Sequence, residues 1–284
     1  MAKKKGRLDF IRMKDNKEQA AWVTAYDFPT AQFAESAGMD MILVGDSLGM
    51  CTLGYQGTIP VTMDDCISHC KAVRRGAPNT FVIGDMPFGS YQITNADAVA
   101  NAARFLKEAE VDAIKLEGGL RTAGALKAIA DAGVLAMGHI GLTPQSSGPL
   151  GGFKAQGLDT HSARFVIEDA IAVQDAGAYA LLVEAVPPEL CSFIAKKLTI
   201  PVYSIGAGGP CDGQLLISSD MIGMFQSFTP KFVKVYAHVG EEITRAFKEY
   251  VNDVHTGAFP TDEYCYHVKK GMEEEYWKML KEYE

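Results

Sequence analysis

The chain contains no long apolar run. Its hydrophobic stretches are strand-sized and are interrupted by Asp, Gly or Pro, well short of the roughly 20 apolar residues that a membrane-spanning helix requires. That excludes a helical membrane anchor and points to a soluble protein. There is no Cys-x-x-Cys pair either. Cys51, Cys66, Cys70, Cys191, Cys211 and Cys265 are scattered, which suits reduced thiols in the cytoplasm better than a disulfide framework. The basic N-terminus (Lys3, Lys4, Lys5, Gly6, Arg7) is followed by neither an apolar core nor a small-residue cleavage site, so it does not read as a secretory signal. Positive charge is also in deficit. A formal net charge of -8 argues against non-specific nucleic-acid binding, which depends on basic side chains neutralising phosphates. A small-molecule partner is the expectation that remains.

What is present is a large apolar complement, 48% of 284 residues, enough for one large core. The expected organisation is a single barrel domain over 1–284, with an N-terminal extension at 1–20 and a C-terminal tail at 261–284. From Trp22 onward, short apolar runs alternate with stretches of helical spacing, the pattern of parallel βα units. Strands are expected at Trp22–Tyr26, Met41–Gly45, Phe81–Gly84, Ala113–Leu116, Leu135–Gly138, Ala180–Val183, Val202–Ile205 and Leu215–Ile217. Helices are expected at Asp64–Arg75, Asn95–Glu110, Ala123–Ala132, Ser162–Ala176, Pro188–Lys197 and Lys231–His255. Thr62 suits the N-cap of the first of these, with Asp64 and Asp65 at the positive end of its dipole.

Alternation alone fits a doubly wound open sheet as well as a barrel. The count of about eight units and the residues that end the strands favour a (β/α)8 TIM barrel. Asp27, Asp46, Asp85, Glu117, His139, Glu184 and Gly206 each close a strand. In such a barrel those positions fall on the C-terminal rim, where active sites of this fold are built.

Asp46 and Asp85 close two strands one helix apart, so their carboxylates can converge on a hard cation, with Glu117 joining directly or through water. Magnesium fits such oxygen ligands. A 2-oxo acid chelates it through carboxylate and keto oxygens, and a Lewis acid there stabilises the enolate of aldol chemistry. Lys115 shares a strand face with Glu117 by the two-residue period and can pair with the substrate carboxylate. Glu184 is the candidate for proton transfer. Plainer readings stand beside these. Any one strand-end acid can be a cap, Lys115 and Glu117 can be a structural ion pair, and His139 reads first as a satisfied core histidine while also being a candidate for substrate contact. Cys66, His69 and Cys70 share a helical face but have no fourth zinc ligand and read as packing residues. Glu273–Glu275 reads as a solvated helix face, and the cluster Gly206-Ala207-Gly208-Gly209 as an anion site or a tight turn.

The stretches carrying these residues resemble the ketopantoate hydroxymethyltransferase family from about Trp22 to Pro260. They are Val23-Thr-Ala-Tyr-Asp27, Val44-Gly-Asp-Ser-Leu-Gly-Met50, Lys71-Ala-Val-Arg-Arg-Gly-Ala-Pro78, Lys115-Leu-Glu-Gly-Gly119, Gly138-His-Ile-Gly-Leu-Thr-Pro-Gln145, and Ile205-Gly-Ala-Gly208 with Asp212-Gly-Gln214. The resemblance implies a phosphoenolpyruvate/pyruvate-type barrel and a homo-oligomer, decameric in well-studied members. It also implies transfer of a hydroxymethyl group from 5,10-methylenetetrahydrofolate to 3-methyl-2-oxobutanoate, giving 2-dehydropantoate in pantothenate biosynthesis through a magnesium-stabilised enolate. Carried over by position, it puts Mg2+ on Asp46, Asp85 and Glu117, the 2-oxo acid on Asp46, Ser47, Asp85 and Lys115, and proton transfer on Glu184. The chain departs from the family at Ser204, where Gly is common, and at Ser219-Asp220, where a His-Asp pair is common. Its aromatic tail beyond Pro260 does not align, and a subunit interface is one reading of it. Two other readings are a related magnesium-dependent aldolase or lyase acting on another 2-oxo acid, and a barrel with no catalytic role.

Overall fold

The computed structural model describes residues 4–284; Lys3 of the basic N-terminal run lies outside them. In chain order the elements are α1 (Arg7–Asp15), β1 (Ala20–Thr24), α2 (Phe28–Ser36), β2 (Met41–Val44), α3 (Leu48–Cys51), α4 (Met63–Gly76), β3 (Phe81–Asp85), α5 (Asn95–Ala109), β4 (Ala113–Glu117), α6 (Ala123–Asp131), β5 (Ala136–Gly141), α7 (Thr160–Asp175), β6 (Ala180–Glu184), α8 (Pro188–Lys197), β7 (Val202–Ile205), β8 (Gly213–Leu216), α9 (Ser218–Met221), α10 (Val239–Thr256) and α11 (Glu273–Leu280). The eight strands form one closed parallel barrel in sequence order. β8 closes it on β1, with Trp22 opposite Leu215. The barrel expectation therefore holds. Residues 206–212 join β7 to β8 without a helix.

Strand periodicity sorts the side chains into two cores. Met41, Leu43, Phe81, Ile83, Ala113, Met137, Leu182, Tyr203 and Leu215 fill the barrel, while Ile42, Val44, Val82, Ile114, Leu116, Leu181 and Val183 face the surrounding helices. Phe10 of α1 belongs to the inner core and meets Phe81 edge-on at 5.1 Å between ring centroids. The segment expected to be an extension thus contributes a buried aromatic. Thr62 does cap α4: its hydroxyl accepts the Asp65 N–H at 3.1 Å and the Asp65 carboxylate reaches back to the Thr62 N–H at 3.0 Å.

Close packing between strand and helix sets one hard limit. A Cβ on Gly84 of β3 would fall 2.5 Å from the ring of Phe105 on α5, which is fully buried. Gly84→Val is expected to cost about 1–3 kcal/mol through overpacking, read as a lower midpoint in urea unfolding. An unchanged midpoint would show that Phe105 has room to move.

Contacts divide the chain into a first unit ending at Tyr236 and a second spanning Ala237–Glu284. The second holds α10 and α11, neither of which has a buried residue. Glu273, Glu274 and Glu275 form the exposed first turn of α11, as expected. The helix expected at Lys231–His255 begins only at Val239. Phe232 lies against Gly206, a Cβ there falling 2.5 Å from its ring, and the Tyr236 N–H donates to the Met221 carbonyl at 2.7 Å. These contacts hold residues 231–236 in extended or turning backbone before helical spacing takes over.

Candidate active site

Strand register brings the rim residues together. Asp85 on β3 stands opposite Lys115 on β4, and Glu117, two residues on, stands opposite His139 on β5. Glu184 ends β6 opposite Gly141. Asp46 and Ser47 follow β2, and the Asp46 N–H donates to Asp85 Oδ2 at 2.9 Å. All of these line one cavity of about 850 Å³, within the usual range for small-molecule sites. Of the expected rim residues, Asp27 stays apart: it is exposed and caps α2 by accepting the Thr30 N–H at 2.8 Å. For that acid the plain reading is the right one. Gly206 lines the cavity, and its loop is a turn in which the Ala207 N–H donates to Ser204 Oγ at 3.0 Å. Cys66 and Cys70 are fully buried packing residues.

The charges form two groups. Lys115 Nζ is 2.8 Å from Asp85 Oδ1 and 4.0 Å from Glu117 Oε1, all three being nearly inaccessible. Burial alone would lower the lysine's pKa, but Asp85, Glu117 and Asp46 outweigh it and raise the value. Burial pushes the Glu117 carboxyl up to about 8 despite Lys115. It also raises Asp46, with Asp85 and Glu117 adding to the effect. Crowded carboxylates around one ammonium are short of positive charge.

The second group is His139 and Glu184, with Nε2 and Oε2 3.0 Å apart. Burial and Lys115 lower the imidazole's pKa, so the ring is neutral near pH 7. Lys115 Nζ lies 3.4 Å from His139 Nδ1, and an ammonium can only donate. Nδ1 thus faces a donor in Lys115 and an acceptor in Glu117 Oε1, also at 3.4 Å, while Nε2 faces Glu184 without an aligned hydrogen bond. The Glu184 carboxyl is held above the ordinary glutamate value by burial, against the opposing pull of His139.

Three residues without charge, Gln145, Tyr91 and Tyr26, organise the first group, and none was among the expected site residues. Gln145 Nε2 donates to Asp46 Oδ2 at 2.9 Å and to the Met86 carbonyl at 3.0 Å, and its backbone N–H donates to Glu117 Oε2 at 2.9 Å. Its Oε1 accepts from Tyr91 Oη at 2.6 Å. The amide orientation is fixed because Asp46 Oδ2 and Met86 O offer only acceptors. One side chain thus ties the carboxylate after β2 to the loop after β5. Tyr26 Oη and Ser47 Oγ are 2.8 Å apart, which holds Ser47 at the rim.

The donor chemistry suits a hard cation. Asp85 Oδ1 and Glu117 Oε1 are buried acceptors with no aligned hydrogen bond. Among the described residues, no three His, Cys, Asp or Glu side chains converge as a ready-made ligand cluster. An ion here would complete its shell with water and substrate oxygens, the usual habit of Mg2+.

A closed barrel of eight parallel strands, with buried and mutually perturbed ionisable groups gathered at the carboxyl ends of those strands, defines a TIM-barrel enzyme. The chain belongs to the ketopantoate hydroxymethyltransferase family, whose model matches residues 5–262, and it is a transferase. It is 69% identical over 283 residues to the 3-methyl-2-oxobutanoate hydroxymethyltransferase of Alkaliphilus metalliredigens, with 100% of both chains covered. It is 49% identical to the enzyme of the same name from Clostridium novyi, covering 93% of this chain and 96% of the relative. Among solved structures, a phosphonopyruvate hydrolase in complex with oxalate and Mg++ aligns with a TM-score of 0.61 at 12% identity, with 98% of each chain covered. A 2,3-dimethylmalate lyase of the phosphoenolpyruvate mutase/isocitrate lyase superfamily aligns with a TM-score of 0.58 at 14% identity, covering 98% of this chain and 99% of that one. At that identity the two structures speak for the barrel fold alone. No helix among the described residues is long and apolar enough to cross a membrane.

Proposed function

We propose that the protein transfers the one-carbon unit of 5,10-methylenetetrahydrofolate to 3-methyl-2-oxobutanoate, with water supplying the new hydroxyl, to give 2-dehydropantoate and tetrahydrofolate. The carrying observation is that one cavity holds both a carboxylate–lysine cluster and a Glu184–His139 pair that touches it through His139 Nδ1. Family membership supports the same reading. Asp46 and Asp85 would hold Mg2+, with Glu117 joining directly or through water. When bound, the metal supplies Lewis-acid withdrawal of charge from the 2-oxo group, which stabilises the enolate left when C3 loses its proton.

The chain's own residues supply the rest. Lys115 attracts the substrate carboxylate to the mouth, and the Ser47 hydroxyl offers it a hydrogen bond. Glu184, ionised, takes the C3 proton as the carbon becomes a nucleophile. His139, 3.0 Å from Glu184 through Nε2, holds that carboxylate in place from the neighbouring strand and contacts substrate at the rim. Water adds to the donor's methylene carbon and breaks its bonds to N5 and N10, leaving tetrahydrofolate, and the carbanionic C3 bonds to the formaldehyde carbon so formed, whose oxygen takes up a proton and becomes the new hydroxyl. Substrate, Mg2+ and protein incubated with 5,10-methylenetetrahydrofolate should yield 2-dehydropantoate by mass spectrometry. If pure, magnesium-loaded protein formed no folate-dependent product, the assignment would fail.

The role of Gln145 gives a sharper expectation. Gln145→Leu removes the donor to Asp46 Oδ2 but keeps the backbone N–H to Glu117. Affinity for Mg2+ should fall about 10–100-fold, the range seen when the partner of a metal ligand is removed. Calorimetric titration with Mg2+ and 2-oxo acid reads this without reference to turnover, and equal affinity would show that Asp46 needs no such support.

A further inference from the structure

Asp220 carries an unexplained charge. It follows β8 in α9, is 5% exposed and lines the cavity. No hydrogen bond or ion pair to its carboxylate exists among the described residues, and burial pushes its pKa up to about 6. Its oxygens are not among the sealed-off, unpartnered polar atoms of the described residues, so they open onto the cavity, where a ligand can reach them. The 2-oxo acid is not that ligand, because its own carboxylate is repelled by Asp220 and attracted by Lys115. What would satisfy Asp220 is a ligand that brings hydrogen-bond donors.

The surroundings give that ligand its shape. Phe225, Phe228 and Phe232 line the same cavity, Phe225 and Phe228 meeting edge-on at 5.4 Å between centroids. Phe228 is 52% exposed although it lines a cavity, so apolar surface there is left to be covered. The whole space, about 850 Å³, far exceeds what a five-carbon acid fills. Aromatic walls beside a carboxylate suit a flat heterocycle with an edge of N–H donors.

We infer that Asp220 is the recognition residue for the pterin of the folate co-substrate, its two oxygens accepting from the pterin N3–H and 2-amino group while Phe225, Phe228 and Phe232 cover the ring. This rests on the proposed one-carbon donor. A carboxylate matches that pair of parallel donors as it matches the two N–H groups of a guanidinium. Lys231, exposed and lining the same cavity, offers a positive charge to the glutamyl carboxylates of the same ligand.

The test measures binding of tetrahydrofolate, in the presence of Mg2+ and 2-oxo acid, to the intact protein and to Asp220→Asn and Asp220→Ala. A second ligand, 2-desamino-2-methyl-tetrahydrofolate, lacks one of the two donors. Loss of charge-assisted hydrogen bonds should weaken tetrahydrofolate binding by about 10- to 100-fold in both variants. The unaltered protein should reject the desamino ligand by at least tenfold, and Asp220→Asn should discriminate far less. Exchange of the 2-oxo acid C3 proton into deuterated water needs no folate and reports whether the mouth of each variant is intact. Variants that bind tetrahydrofolate within twofold of the unaltered protein, or that still reject the desamino ligand as strongly, overturn the assignment. If the unaltered protein exchanges the C3 proton but does not bind tetrahydrofolate, the folate reading itself fails and takes this assignment with it.

Discussion

Glu184→Gln is expected to slow turnover by about two to four orders of magnitude while 2-oxo acid still binds. The substitution keeps the shape and the close approach to His139 Nε2, at 3.0 Å for the carboxylate, but removes the group at that position able to accept a proton. The binding half of the cavity, Lys115 with Asp85, Asp46 and Glu117, lies on other strands and is untouched. The pH profile gives a second readout. The Glu184 carboxyl is raised above its ordinary value by burial, and its ionised form is the base. Proton abstraction should therefore be complete above that raised pKa and be lost as pH falls through it, so the acid limb sits higher than for an exposed glutamate. Near-normal turnover in the variant, or an unmoved acid limb, would take the proton from Glu184 and give it to another group.

Asp85→Ala should abolish the magnesium dependence of substrate binding, with affinity for Mg2+ and 2-oxo acid together falling by about 100-fold or more. Asp85 accepts the Asp46 N–H through one oxygen and faces Lys115 through the other. Its loss both removes a proposed ligand and frees Asp46 from its orientation. It also leaves Lys115, among the described residues, with only Glu117, at 4.0 Å, as an ion-pair partner. Removing one member of a buried pair costs about 3–5 kcal/mol, so Asp85→Asn, which retains an acceptor for the Asp46 N–H, is the companion that separates lost ligation from lost stability. An unchanged magnesium requirement in both variants would contradict the ligand role.

The strands were legible because each is an apolar run ending in a polar residue. Expected and observed bounds coincide at Val202–Ile205 and differ by a few residues elsewhere, most at β5, which continues to Gly141. That extension matters, since it places His139 inside the strand, opposite Glu117. Helices α1 and α2 gave no comparable signal: α1 buries only Phe10 and α2 only Ala31 and Ala34, too few for a clear apolar stripe. In residues 231–236 apolar spacing resembled a helix, but the pull of Phe232 onto Gly206 decided the backbone.

The ionisable part of the site was legible for the same reason as the barrel, because residue type and strand end together place Asp46, Asp85, Lys115, Glu117, His139 and Glu184 on one rim. Gln145 and Tyr91 were not. A neutral amide or phenol draws no notice by charge, and its role appears only when four loops are brought together. Gln145 did stand at the end of the Gly138–Gln145 block, immediately after Pro144, which was the one available hint. Asp220 was visible only beside Ser219, as part of a departure from the family pattern, since nothing in the sequence tells that its carboxylate lines the cavity without a protein partner.

The most direct measurement is exchange of the C3 proton of 3-methyl-2-oxobutanoate in deuterated water, followed by NMR, with and without Mg2+. The account predicts magnesium-dependent exchange that needs no folate and is nearly lost in Glu184→Gln. No exchange of this acid, with ready exchange of a different 2-oxo acid, would contradict the proposed substrate; exchange that persists in Glu184→Gln would contradict the mechanism.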